Sequence, residues 1–327
     1  MSGTINFAIP KGSLEKATFE ILERAWYNIY GKERTYRPVI SDEQIKLKML
    51  RPQEIPNYVS QGIYDVGISG LDWVEETNAD VKILTNLEYG KVKIVLAIPE
   101  DDNIKSCDEL INTYLKRNKV LRISTEYLNI ASKYIKKNSV YKKKWLNQDP
   151  KIVTPWKVFG NNEKVSLFLS FGATEAKPPE EADAIIDLTE TGTTLKRNKL
   201  KIIDTIYESS TCLIANKKSL QDSKKREKIF DILSLLRGAV ESKKNVHIFV
   251  NVKKENLDKL LKELPALKNP TISNLSDKNW YSVNTIIKKT DLLKIIPKLR
   301  KLSQGLVVHE PKQILPLEKI AQGENNE

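Results

Sequence analysis

Between Asp187 and Thr194 the chain places two carboxylates, four threonines and a glycine within eight residues, reading Asp-Leu-Thr-Glu-Thr-Gly-Thr-Thr. Hydroxyl groups and a glycine-relaxed backbone can turn O–H and N–H donors towards one point, which suits a phosphate. Asp187 and Glu190 would repel a bare phosphate, so they imply a second kind of partner. Ribose hydroxyls donate to such carboxylates, and a magnesium ion on a pyrophosphate tolerates them. Asp187, Thr189, Glu190, Thr191, Gly192, Thr193 and Thr194 together are the receptor expected for a sugar phosphate such as phosphoribosyl pyrophosphate. The same residue types also make an ordinary polar turn, so the flanking elements decide the matter.

Those elements read as a strand and a helix. Residues 184–188 are short, apolar and β-branched, a buried strand, and 195–200 carry helix-forming Leu, Lys and Arg. A second candidate anion site follows the apolar run 5–9, where Lys11 supplies a point charge, Gly12 admits a close ligand and Ser13 suits a helix cap before the periodic stretch 14–26. A third piece, 48–76, reads as the end of a strand, Arg51, a helix over 52–62, a strand over 63–68, the loop residues Ser69 and Gly70, and a helix over 72–76. Its plan echoes the Asp187 segment and predicts two similar α/β lobes facing each other across a cleft. Residues 92–98 then cross to the second lobe, and a strand over 120–124 delivers Thr125, Glu126 and Tyr127 to a loop on the same cleft, before a helix over 130–137. The lysine-rich stretch 138–164 reads as a surface insertion anchored by Trp145 and Trp156, and strands are predicted over 165–169, 201–207 and 211–215.

The tail has another style. After an amphipathic helix over 226–240, residues 246–308 alternate as strand, helix, strand, strand, helix, strand, the ferredoxin-like split unit. His247 and His309 stand singly on its strands, as packed or solvated residues.

Composition bounds the rest. At 327 residues, with 40% hydrophobic and 29% charged residues, the chain is long enough for two or three soluble domains. No apolar run approaches the roughly 20 residues of a membrane span and the N-terminus has no signal-peptide core, which predicts a cytoplasmic protein without a membrane partner. The two cysteines, Cys107 and Cys212, lie in unrelated contexts and read as packing residues. A net charge of +12 comes from dispersed lysine clusters without interleaved aromatics, a solvated surface facing a polyanionic small substrate, with no nucleic acid.

Read together, PKGSL at 10–14, RPQEIP at 51–56, GIYDVGISG at 62–70 and ADAIIDLTETGTTLKRNKL at 182–200 resemble, in order and spacing, the matching segments of the ATP phosphoribosyltransferases, enzymes that open histidine biosynthesis. The resemblance departs at 138–164, which is longer than the family pattern, and at Leu128, where proline is common. It implies an α/β fold: a two-lobed, periplasmic-binding-protein-like (type II) catalytic core plus a C-terminal ferredoxin-like βαββαβ regulatory domain, the long form of the enzyme. The implied domains are lobe I from 1–96 and 205–222, lobe II from 97–204, a connecting helix over 223–244 and the regulatory domain over 245–321. The implied activity transfers phosphoribosyl from phosphoribosyl pyrophosphate to N1 of ATP with Mg2+, in the cytoplasm, in a homo-oligomer of dimers assembling to hexamers, inhibited by histidine. Asp187, Glu190 and Lys11 would be catalytic. Thr191 to Thr194 would hold the 5′-phosphate, the two acids the ribose hydroxyls or the magnesium shell, and Lys11 and Arg51 the pyrophosphate or ATP phosphates. Thr189, Gly12, Ser13, Ser69, Gly70, Thr125 and Tyr127 would complete the walls. Two other readings stand beside this one: a solute-binding protein with the same two-lobed plan, and a regulatory subunit without activity.

Overall fold

Short apolar runs that end in glycine, proline or hydroxyl residues make most of the strands, and the structure, a computed structural model, describes residues 3–31, 35–146, 148–265 and 269–315. In chain order these form β1 (Ile5–Pro10), α1 (Glu15–Arg24), the short β2 (Ile29–Tyr30) and β3 (Val39–Ile40), β4 (Ile45–Leu50), α2 (Ile55–Ser60), β5 (Val66–Gly70), α3 (Leu71–Thr77), β6 (Lys82–Asn86) and β7 (Val92–Pro99). There follow α4 (Cys107–Lys116), β8 (Leu121–Thr125), α5 (Leu128–Lys137), α6 (Ser139–Trp145), β9 (Pro150–Val153), β10 (Val158–Phe159), β11 (Asn162–Leu169), β12 (Ala184–Thr189), α7 (Thr193–Arg197), β13 (Leu200–Ser209) and β14 (Thr211–Ala215). The remainder is α8 (Ser223–Lys244), β15 (Asn245–Lys253), α9 (Leu257–Glu263), β16 (Thr271–Asn274), β17 (Trp280–Lys288), α10 (Lys289–Leu302) and β18 (Ser303–His309).

The chain divides into two compact units, one made of Asn6–Glu15 and Lys48–Gln221, the other of Lys16–Leu47 with residues 3–5 and the described residues from 222 onward. The first unit holds both sheets of the two-lobed α/β core except for Ile5 of β1 and residues 45–47 of β4. One sheet runs β4-β1-β5-β14-β6, with β1 parallel to β5 and β14 antiparallel to β5 and β6. Its core gathers Ala8, Ile55, Val59, Cys212 and Ile214. The other runs β10-β9-β11-β8-β12-β7-β13, and β9, β11, β8 and β12 are parallel neighbours. Its core packs Ile94, Leu96, Leu121, Ile123, Leu167 and Ile186 against the helices on one face, while Leu195 of α7 joins Val95, Ala97 and Ile185 on the other. Parallel strands covered on both faces are apolar almost throughout, which is why they read as continuous runs.

The chain passes between the sheets at 87–91 and again at Ser210, and the two passages lie side by side. Leu87 N–H donates to Thr211 O at 2.8 Å, Thr211 N–H to Tyr89 O at 3.0 Å, and the Asn86 amide to the Ser210 hydroxyl at 2.7 Å.

Two expectations are corrected in this unit. The segment 138–164 is not a surface insertion. It supplies α6, β9, β10 and the first residues of β11, with Tyr141 and Asn162 buried and joined by a 3.0 Å hydrogen bond. Its strands are short and lysine-punctuated because they lie at the edge of the sheet, where charge is tolerated. Trp145 packs against the core but Trp156 is 72% exposed, so only the first is an anchor. Ser69 and Gly70 are not loop residues either: they end β5, paired with Cys212 and Thr211.

The second unit carries α8 and a four-stranded antiparallel sheet in the order β16-β17-β15-β18. With α9 and α10 this is the βαββαβ unit, its core formed by Val246, Ile248, Val250, Val252, Val283, Leu260 and Leu299. On the opposite face His247 and His309 stand across from each other in register, their rings on Phe249 at 4.4 and 5.5 Å. Both cysteines are free and buried, and no helix among the described residues is long and apolar enough to cross a membrane.

Candidate active site

The site is assembled where parallel strands end. Leu169 and Ile186 both pair with Thr125, so β11 and β8 end level with Ile186 of β12, and Ser170, Glu126 and Asp187 follow at the same level while β12 continues along β7 to Thr189. Ser170 N–H bonds to Thr125 O at 2.8 Å and keeps the two loops abreast. The carboxyl ends of parallel strands are where open α/β sheets bind ligands.

Asp187 is half-buried, with the Leu188 N–H donating to its Oδ1 at 2.7 Å. Burial pushes its carboxyl up to about 7, against that hydrogen bond, and the carboxylates of Glu175 and Glu126 raise it further. Glu126 is itself raised by burial and by Glu175, and is held by the Gly172 N–H. The acids acting on Asp187 thus come from the loops after β8 and β11 rather than from the next turn, where Glu190 lies exposed. A half-buried carboxylate among other carboxylates favours hydroxyl donors or positive charge as its partner.

The loop after β12 is closed by Thr189, whose nearly buried Oγ1 accepts the Gly192 N–H at 2.8 Å. Gly192 has φ 79°, the left-handed region that glycine enters without strain. It caps α7 without a side-chain hydrogen bond, so the first N–H groups of that turn point outwards. Thr191, Thr193 and Thr194 are exposed beside them, with the Thr191 and Thr193 hydroxyls 2.9 Å apart. Leu195, by contrast, is buried and fixes the turn to the sheet. The helix here is a single turn over Thr193–Arg197, starting earlier and ending sooner than the sequence predicts, because the chain re-enters the sheet at Leu200.

The first sheet contributes a separate group. Lys11 N–H bonds to Leu50 O at 2.7 Å, which sets the turns after β1 and β4 against each other. Gly12 has φ 102°, and a Cβ there would stand 3.6 Å from the Arg51 guanidinium. Lys11, Gly12 and Arg51 are therefore neighbours, with Ser13 exposed on the same turn. Ser69 is fully buried and gives its hydroxyl to Pro52 O at 2.8 Å, so it holds the Arg51 turn rather than facing a ligand.

A buried bridge joins the two sheets. Tyr127 O–H donates to Asp72 Oδ2 at 3.1 Å and the Ser209 hydroxyl to Asp72 Oδ1 at 2.5 Å, while the Tyr127 ring stacks on Trp73 at 4.7 Å. Thr125 Oγ1 accepts the Tyr127 N–H at 2.9 Å. Both side chains are buried, so Thr125 and Tyr127 shape the wall from behind it. Nearby, Glu76 accepts the N–H groups of Asn129 and Ile130, each at 2.9 Å, at the start of α5, and burial raises its carboxyl to about 6. The sequence places Glu126 in the cleft loop between Thr125 and Tyr127 without giving it a role, and with both neighbours turned inwards it is the residue of that loop left facing out. Sequence reasoning did not single out Glu175, Asp72 or Ser209. Among the described residues no three His, Cys, Asp or Glu side chains converge to hold a metal ion.

These features define the class: a two-lobed α/β core that presents a threonine–glycine turn and a half-buried carboxylate at its strand ends, followed by a ferredoxin-like C-terminal domain. Residues 51–238 match the HisG family, described as ATP phosphoribosyltransferase, and 242–310 match the HisG C-terminal domain. The chain is 39% identical to the ATP phosphoribosyltransferase of Thermodesulfovibrio yellowstonii over 318 residues, covering 95% of this chain and 98% of that one. It is 40% identical to that of Solibacter usitatus over 322 residues, covering 97% and 99%. Among solved structures it resembles the ATP phosphoribosyl transferase (HisG:HisZ) complex from Thermotoga maritima, with a TM-score of 0.55 and 26% identity over 73% of this chain and 99% of that one. The chain belongs to the ATP phosphoribosyltransferase family, in its long form with the C-terminal domain. The solute-binding and inactive-subunit readings give way to that membership.

Proposed function

We propose that the chain transfers the phosphoribosyl group of phosphoribosyl pyrophosphate to N1 of ATP, giving phosphoribosyl-ATP and pyrophosphate in the cytoplasm. The C1–O bond breaks with its electron pair going to pyrophosphate, and the N1 lone pair forms the new bond to C1. Positive charge builds on the ribose as the old bond opens. The single observation that carries the reading is Asp187, a half-buried carboxylate beside an uncapped threonine–glycine turn at one strand end.

In this reading the N–H and O–H groups of Thr191, Gly192, Thr193 and Thr194 hold the 5′-phosphate, and Thr189 keeps the turn closed. Asp187 accepts from the ribose hydroxyls and, with Glu126 and Glu175, sets a negative field where the ribose becomes cationic. Glu190 stands on the exposed side of the turn, in reach of solvent and of a ligand's outer hydroxyls. Lys11 and Arg51, on the other sheet, neutralise the departing pyrophosphate or the ATP phosphates, the guanidinium in bidentate fashion. Holding both reactants in line supplies much of the rate. No protein cage is needed for Mg2+, which suits an ion that keeps its waters and takes one or two carboxylates plus substrate phosphates; Asp187 is the donor that fits. When bound, that ion would screen the charge gathering on pyrophosphate. The C-terminal domain is the place for inhibition by histidine, and the working form is a homo-oligomer of dimers assembling to hexamers.

The test is an absorbance assay for phosphoribosyl-ATP with ATP, phosphoribosyl pyrophosphate, Mg2+ and pyrophosphatase, with and without millimolar-scale histidine. Product that histidine suppresses is the expected result. Product without suppression removes the regulatory assignment, no product removes the catalytic one, and omission of Mg2+ tests the ion.

A further inference from the structure

Beside the acid cluster the second sheet shows an aromatic pair that the phosphoribosyl chemistry leaves unused. Val153 pairs with Phe168, so the β9–β10 hairpin and the turn after β11 leave the sheet at the same rim as Glu126 and Asp187. Trp156 on the hairpin and Phe171 on the turn meet with ring centroids 5.9 Å apart and planes inclined by 51°. They are 72% and 70% exposed, an unfavourable place for two large rings unless a ligand covers them. Phe171 is followed by Gly172, the residue whose N–H holds Glu126. Ring and carboxylate therefore follow the ends of β11 and β8, and the ribose-binding acid lies on β12, three successive strands whose neighbours are about 4.8 Å apart.

We propose that Phe171, backed by Trp156, is the shelf on which the purine of ATP stacks, and that Glu126 accepts a hydrogen from the adenine amino group. This rests on the reading of Asp187 as the residue that holds the ribose. A flat aromatic face serves any base, so the ring gives affinity and the carboxylate gives choice. Adenine offers a donor at C6 where guanine offers an acceptor oxygen, which a fixed carboxylate repels. N1 is the ring atom next to C6, so gripping the amino group aims N1 towards the neighbouring strand, where C1 of the ribose lies. As N1 takes on C1 the purine becomes cationic and its amino group a stronger donor. The bond to Glu126 then tightens in the transition state, where it raises the rate.

The experiment is steady-state turnover of the full chain with ATP varied at saturating phosphoribosyl pyrophosphate, the reverse, and GTP in place of ATP, for the wild type, Phe171→Leu and Glu126→Gln. Phe171→Leu is expected to raise KM for ATP about tenfold, the scale of a lost base stack, with KM for phosphoribosyl pyrophosphate within about twofold. Glu126→Gln is expected to lower the ATP-over-GTP preference in kcat/KM by about tenfold. Unchanged ATP parameters in both variants overturn the shelf while leaving the reaction in place. An equal loss for both substrates in Phe171→Leu also overturns it, since the ring would then be shaping the whole rim. A wild type that turns over nothing overturns the underlying reading instead.

Discussion

Replacing Asp187 by Asn should make the protein more stable and much less active, and the two effects should have different pH dependence. The native carboxyl keeps its proton up to about pH 7, whereas the ordinary value is 3.8. Between these values the folded state binds more protons than the unfolded chain, so stability falls as pH rises and the deficit is complete only above pH 7. A displacement from 3.8 to about 7 corresponds to about 4 kcal/mol. Asp187 is only half-buried and the acids that repel it relax in water, so about 2 kcal/mol is the expected cost. Asparagine keeps an oxygen for the Leu188 N–H and removes the charge. Calorimetric scans should show Asp187→Asn melting about 4–8 °C above the wild type at pH 8, with the gap closing towards pH 4. In the phosphoribosyl-ATP assay its kcat should fall by about tenfold or more, since hydrogen bonds to a charged group are worth about 1.5–3 kcal/mol. A variant no more stable than the wild type at pH 8 would refute the account of the acid cluster. Full turnover would remove Asp187 from the chemistry.

Thr194→Ala should weaken phosphoribosyl pyrophosphate by about 1–3 kcal/mol in titration calorimetry while leaving the melting temperature alone, because Thr194 is exposed; unchanged affinity takes Thr194 out of the site. Tyr127→Phe should cost about 1–3 kcal/mol in urea unfolding, since it strips a donor from the buried Asp72, and an unaltered midpoint would show that the bridge carries no energy. Glu76→Ala should cost about 1–2 kcal/mol by uncapping α5, with amide exchange at Asn129 and Ile130 accelerated; unchanged exchange would assign the cap elsewhere.

What the sequence discloses and what it hides divide along physical lines. The β12 loop is legible because everything it needs is local: an apolar run, a glycine at a left-handed position and hydroxyls on either side. The C-terminal βαββαβ order is legible for the same reason, its two central strands, β15 and β17, alternating against one covered face. The partners of Asp187 are hidden because they come from the loops after β8 and β11, about 60 and 12 residues away along the chain, and only the order of the sheet brings them together. Glu190, adjacent in sequence, is the natural guess and lies outside that cluster. Residues 150–159 escape notice as strands since β9 has four residues including a lysine and β10, at the sheet edge, has two. Ser69 and Gly70 look like a loop, yet β14 extends the ladder over them, an interaction with residues more than 140 positions on.

Because the two passages between the sheets are stitched to each other, they behave as one strap rather than two tethers. A single strap is expected to resist sliding or parting of the sheets more than rotation about its own line. Ser209, at the edge of that strap, also holds Asp72, which holds Tyr127. The ends assigned to the two substrates therefore share one angular coordinate. Whichever substrate narrows that angle leaves less work for the other, and by linkage the gain is the same factor in either order of binding.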